Sequence, residues 1–201
     1  MYEYYMFNKP AGYVTARFDN RYPVIMDFFK ETKNHMLKPV GRLDLDTEGL
    51  IFISNDGKWN NHLMSPQSHI SKKYFFWVLG NITDDNIAYI SNGVKLVGTD
   101  RLTLPALLEI SEKSYLGKLP IYARGNIYNS LRHNLDSTPI TSGYITICEG
   151  KNHQVKRMLK AIGCYVIYLK RVKIGEVSLD DTLPLGKYRK LTGCELKNLY
   201  K

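Results

Sequence analysis

The chain is poor in cysteine, with only Cys148, Cys164 and Cys194 among 201 residues. An odd number at wide spacing leaves no basis for a disulfide framework and suits buried thiols in a reducing cytoplasm. His153 lies between two of the cysteines, but no Cys-x-x-Cys pair completes a zinc pattern. No apolar run approaches the roughly 20 residues that span a bilayer. The opening Met-Tyr-Glu-Tyr-Tyr-Met-Phe-Asn-Lys-Pro has neither a basic leader nor a long apolar segment, so no signal peptide is expected. Internal repeats and low-complexity segments are missing too. Acidic residues are in deficit, 19 against 28 Lys and Arg, which leaves a formal charge of +9. That excess favours a polyanionic partner such as nucleic acid, and with no apolar run long enough to span a bilayer no membrane partner is expected. The expectation is a cytoplasmic monomer.

What remains is ordinary globular material, 44% hydrophobic and 23% charged, long enough for one full core or two small lobes. Short strand-like runs alternate with short helical ones, which predicts a mixed α+β chain. Residues 2–7, 13–16, 50–53, 73–79 and 144–148 read as strands, with Pro10 and Gly12 marking a turn between the first two. Thr83-Asp84-Asp85 starts a helix with an N-cap and an acidic first turn, and Gly93 lies near its end. Residues 113–142, rich in Gly, Pro, Ser and Asn, read as a long loop or a hairpin with a long tip. The clearest helix is capped by Asn152 and stopped at Gly163, with Val155, Met158, Leu159 and Ile162 forming its buried stripe. His153, Lys156, Arg157 and Lys160 fall on its other side. Two readings of that basic face stay open, a solvated surface and a surface turned toward phosphate.

The densest signal is Gly41-Arg42-Leu43-Asp44-Leu45-Asp46-Thr47-Glu48-Gly49-Leu50, three alternate carboxylates between two glycines and ahead of the apolar run Leu50-Ile51-Phe52-Ile53. Metal binding and nucleophilic chemistry both use such a loop. The spacing Asp44-x-Asp46-x-Glu48-Gly49 matches the first half of a calcium loop. The twelfth position, however, is Asn55 instead of a bidentate Glu, and a strand follows in place of a helix. A retaining glycosidase would need two carboxylates about 5 Å apart. Asp44 and Glu48 meet only if the loop curls, which the sequence leaves open. A purely structural loop is the third reading.

These residues resemble the catalytic signature of ribosomal RNA pseudouridine synthases of the RsuA type. Further motifs resemble the same family in the same order: Asn8-Lys9-Pro10, then Lys72-Lys73-Tyr74, Leu104-Pro105-Ala106, Glu149 to Met158 with its His153-Gln154, and Gly186-Lys187-Tyr188-Arg189. The resemblance implies a largely antiparallel sheet with flanking helices, one catalytic domain over 1–201 with sub-lobes near 1–62 and 63–201 around a basic cleft. It implies isomerisation of a uridine in ribosomal RNA to pseudouridine, with no cofactor and no metal. Carried over residue by residue, Asp44 is the nucleophile, Lys156 its basic partner and Tyr74 the active-site tyrosine. Arg42 is a candidate to contact phosphate or fill the gap left by a flipped base. Lys9, Lys72, His153, Gln154, Arg157 and Lys170 are the further RNA-binding candidates. Asp46 and Glu48 are expected to shape the loop. The start directly at the catalytic core and the long stretch 113–142 resemble the E-type large-subunit enzymes, while Gly12-Tyr13-Val14 is closer to the small-subunit enzyme. A large-subunit target is the expectation. The competing readings are a non-catalytic rRNA-binding or ribosome-assembly module and an N-glycosidase that releases free base.

Overall fold

A computed structural model of the chain describes residues 1–119 and 135–200. Its strands form a nine-stranded mixed sheet, largely antiparallel, and among the described residues it carries four α-helices. The chain divides into two compact units, 1–73 with 170–201, and 74–169. Whereas the sequence suggests consecutive sub-lobes at about 1–62 and 63–201, the C-terminal segment belongs with the first unit. The physical reason is strand pairing: residues 188–190 line the edge of the first strand, and a parallel pairing adds to it. Strand β7, Tyr165–Ile174, places Lys170 opposite Glu48 and Arg171 opposite Gly49.

In the first unit β3, Glu48–Ser54, is central. It pairs antiparallel with β1, Tyr4–Lys9, along the whole of both strands, from Tyr4 opposite Ser54 to Lys9 opposite Gly49. On its other edge it meets β7 and then β2, Lys38–Val40. Strand β8, Val177–Ser178, pairs with β7, and β9, Tyr188–Lys190, covers the far edge of β1. This central place explains why Leu50-Ile51-Phe52-Ile53 is apolar without alternation: all four side chains are fully buried. Leu50 and Phe52 pack with Trp59 and Leu63 of α1, Gly57–Met64. The N-cap of α1 is Asp56, whose carboxylate accepts from Lys58 N and Trp59 N and from the Tyr4 hydroxyl at 2.8 Å. Burial works against the Asp56 charge, but these bonds outweigh it and hold the carboxyl below its ordinary range. The C-terminal α4, Gly193–Leu199, starts at a Thr192–Glu195 capping box.

In the second unit α2, Asp84–Ser91, and α3, Gln154–Ala161, border a core of Phe76, Val78, Ile90, Val155, Met158 and Leu159. Thr83 caps α2 as its sequence suggests. In α3 the cap is His153, not Asn152, and it sits in the left-handed region at φ 49°. Strand β4 runs from Lys72 to Leu79, β5 from Leu107 to Tyr115 and β6 from Pro139 to Ile147. The last two pair antiparallel, from Leu107 opposite Thr146 to Tyr115 opposite Pro139. The stretch 113–142 is thus strand at both ends, and its middle, 120–134, lies outside the described residues. The strand expected at 13–16 is reduced to one bridge, Val14 to Val24. No helix among the described residues is long and apolar enough to cross a membrane.

Candidate functional site

The Asp44 loop joins β2 to β3, and its backbone is held from several directions within the first unit. Lys9, the last residue of β1, is fully buried. Its ammonium donates to the carbonyls of Asp44 at 3.1 Å, Leu45 at 3.3 Å and Thr47 at 2.8 Å, and to Pro10 at 3.0 Å. Three N–H groups are shared among four carbonyls, a dense arrangement for a compact cation. Thr15 Oγ1 donates to the Leu43 carbonyl at 2.8 Å and accepts from Leu43 N at 3.1 Å. Gly12 N donates to the Leu45 carbonyl at 2.8 Å, and Thr47 N closes a turn on the Asp44 carbonyl at 3.2 Å. From the other side Arg171, also buried, donates Nε to Leu50 O at 2.7 Å and reaches Arg42 O at 3.5 Å. Main-chain groups of Arg42, Leu43, Asp44, Leu45 and Thr47 are therefore all engaged. The side chains Leu43 and Thr47 point inward, while Asp44 is half-buried and Arg42 and Asp46 are exposed.

Gly49 is required where the loop enters β3. Its φ of +99° is unfavourable for any side chain, and a Cβ there would collide with the backbone of Arg171. Lys170, half-buried beside it, stands opposite Glu48 in the parallel register. Lys72 is buried, and its ammonium reaches the Leu63 carbonyl at 3.4 Å. Burial takes Lys9 and Lys72 away from the exposed phosphate contact that the sequence suggests for them. Lys9 instead holds the loop.

In the second unit, the turn ahead of α3 is tied together by side chains. Gln154 is buried; its Oε1 accepts from Lys151 N at 2.8 Å and its Nε2 donates to Glu149 Oε1 at 2.8 Å. The same Glu149 oxygen accepts from Leu104 N at 2.8 Å, and Lys151 pairs with Glu149 Oε2 at 3.2 Å. Gln154 is thus engaged inside the turn and not presented to a ligand. Arg157 is half-buried, its guanidinium bonded to the Val97 carbonyl at 2.5 Å and to the Asn152 carbonyl at 3.4 Å. Lys156 is half-buried and His153 exposed. Tyr74, on β4, is half-buried against the core of this unit. Among the described residues no group of three or more His, Cys, Asp or Glu side chains converges as a metal site would require.

Known proteins decide the family. The family model described as RNA pseudouridylate synthase matches residues 3–161. The chain belongs to the RNA pseudouridylate synthase family. Ribosomal small subunit pseudouridine synthase A of Salmonella typhimurium is 35% identical over 196 residues, 98% of this chain and 73% of the relative. The protein of the same name from Haemophilus influenzae is 36% identical over 199 residues, 99% of this chain and 74% of the relative. An RNA pseudouridine synthase of Bacillus subtilis is 38% identical over 194 residues, 96% of this chain and 71% of the relative. A crystal structure of a pseudouridylate synthase superposes with a TM-score of 0.79 at 35% identity, covering 99% of this chain and 74% of that one.

As a pseudouridine synthase this chain is an isomerase. The residues that its sequence does not single out for the Asp44 loop are Thr15 and Arg171. Each acts on main-chain groups of the loop from elsewhere in the chain. For Arg171 the separation from Leu50 is 121 residues. Its only sequence signal is a basic residue inside an apolar strand, a position where charge is seldom buried without partners.

Proposed function

We propose that this pseudouridine synthase isomerises a uridine of small-subunit ribosomal RNA, with Asp44 as its nucleophile. Reaction balance shapes the site's task. The bond from ribose C1′ to N1 breaks, a bond from C1′ to C5 forms, and the proton lost by C5 ends on N1. Nothing is oxidised or reduced, so the chemistry asks for a carboxylate, a proton acceptor and a closed place for the detached base. The observation that carries the reading is the held backbone around Asp44. A nucleophile must meet C1′ within a few tenths of an ångström to gain from orientation, and a loop fixed at five residues supplies that constancy. Family resemblance supplies the remaining roles: Lys156 to keep Asp44 ionised, Tyr74 to cover the base and assist the proton transfer from C5, and Arg42 to meet phosphate or occupy the gap in the stack. His153, Arg157 and Lys170 are assigned to the RNA backbone. Flipping the target uridine costs a few kcal/mol, which such contacts offset.

The names of the relatives support a small-subunit target, and the expectation of a large-subunit one finds no support among them. Unmodified transcripts of both ribosomal RNAs, incubated with the protein and mapped for pseudouridine, test the reading. One modified position in the small-subunit transcript is expected. Modification confined to the large-subunit transcript overturns the target assignment. Release of free uracil without pseudouridine would favour base excision, and neither product would favour a binding module.

A further inference from the structure

The loop 16–23 leaves the immediate surroundings of Asp44 and carries two Arg-aromatic pairs, Arg17-Phe18 and Arg21-Tyr22, into solvent. Phe18 is 77% exposed and Tyr22 49%, and both arginines are exposed. A single exposed aromatic is unremarkable on a soluble protein. Two, each preceded by an arginine and four positions apart, are a surface with one chemistry. Aromatic faces accept any nucleobase, and guanidinium groups meet phosphate or stack beside it.

The loop is built to hold its shape. Asp19 Oδ1 accepts from Arg21 N at 2.8 Å and Tyr22 N at 2.9 Å, which fixes the turn between the two pairs. Arg17 donates to the His35 carbonyl at 3.1 Å, and so braces the loop against the segment carrying exposed Lys33 and Lys38. At the stem, Val14 N donates to Pro23 O at 2.9 Å and Ile25 N to Val14 O at 3.0 Å. The next residue, Thr15, is the one that exchanges two hydrogen bonds with Leu43, beside Asp44. From Thr15 to Phe18 the chain spans at most about 11 Å, a few nucleotides' length. All of these contacts lie within the first unit.

We propose that this loop grips the RNA next to the target uridine, with Phe18 and Tyr22 stacking on unpaired neighbouring nucleotides and Arg21 meeting the backbone. The proposal rests on the reading of the chain as a synthase that uses Asp44 on RNA. It gives the enzyme a sequence-tolerant clamp that favours targets flanked by unstacked bases over uridines inside a duplex.

The test compares binding and kinetics on an unmodified small-subunit rRNA transcript. Phe18→Ala with Tyr22→Ala is expected to weaken binding about 30-fold or more, since each lost stack alone is worth roughly 5- to 150-fold, with the loss falling mainly on KM. Phe18→Tyr and Tyr22→Phe should keep the affinity, whereas leucine at both positions should not restore it. Arg21→Gln should reduce the slope of log affinity against log salt by close to one phosphate contact, roughly 0.7 to 0.9. Wild-type affinity and KM in the alanine pair, or full affinity in the leucine pair, would overturn the proposal. Asp44→Asn keeps the two readings apart. Undiminished binding by the aromatic variant sinks the clamp alone, while product formation by Asp44→Asn sinks the assignment of the nucleophile.

Discussion

The buried ammonium of Lys9 donates to the main-chain carbonyl of Asp44 at 3.1 Å and to that of Thr47 at 2.8 Å. A single side chain at the end of β1 therefore fixes the loop that precedes β3. The pairing of Lys9 with Gly49 across the two strands brings it there.

Lys9→Met keeps the chain length and removes the charge and donors. The buried Thr47 carbonyl then loses this partner, while those of Asp44 and Leu45 keep Thr47 N and Gly12 N; the change is expected to cost about 3 kcal/mol of stability, since an unsatisfied group costs roughly 1–3. Thermal unfolding reads that loss. Kinetics should show kcat falling more than KM, because the loop would hold Asp44 less well while RNA contacts elsewhere persist. An unchanged kcat in a folded Lys9→Met protein would remove Lys9 from this role.

Gly49→Ala combines a backbone at φ +99° with a collision against the Arg171 main chain. Strain at such a position costs on the order of 1–3 kcal/mol before the clash is counted. The variant should express poorly or melt well below wild type. Gly12→Ala is the comparison: φ is +86° there too, but a Cβ would meet nothing within 4 Å, so its effect should be smaller.

Acid stability should depend on Arg189. Thr182 and Arg189 hold the Asp180 carboxyl down to about 2, and Arg189 also holds Glu195 below its ordinary range. Arg189 contacts Asp180 at 2.7 Å and Glu195 at 2.8 Å. Carboxyls depressed in the folded state favour folding above their unfolded values near 4, and that contribution fades as pH falls toward 2. The melting temperature of wild type should therefore drop between about pH 5 and pH 2. Arg189→Met should melt lower at pH 6 and show a shallower drop over the same range. Equal drops in both proteins would exclude the network as a source of acid lability.

Arg157→Ala should lower thermal stability as well as RNA affinity, because the guanidinium bridges the Val97 and Asn152 carbonyls. About 1 kcal/mol is the expected size for bonds on a partly exposed arginine. A variant with weakened RNA binding and an unchanged melting temperature would show that these bonds are incidental.

Local patterns carried much of the fold. The unbroken apolar run at 50–53 marks a strand buried on both faces, and the stripe at Val155, Met158 and Leu159 marks the inward side of α3, as found. The motif around Asp44 was legible as a candidate site because a loop of this kind is local. What holds that loop was not, since Thr15, Lys9 and Arg171 act across 28 to 129 residues of sequence. Basic residues read alike whether they end in solvent or inside, and only the register of β1 and β7 on β3 distinguishes Lys9 from Lys170. The cap of α3 falls at His153 and not Asn152, and the Gln154 side chain turns back onto Lys151 N, an arrangement that side-chain preference alone does not reveal.

The central claim is tested most directly by Asp44→Asn, assayed for pseudouridine formation and for binding on the same unmodified small-subunit rRNA transcript. The substitution keeps the size of the side chain and the loop's main-chain bonds while removing the nucleophilic carboxylate. The account predicts a folded protein that binds the transcript as wild type does and forms no pseudouridine. Pseudouridine formed at the wild-type rate would contradict it.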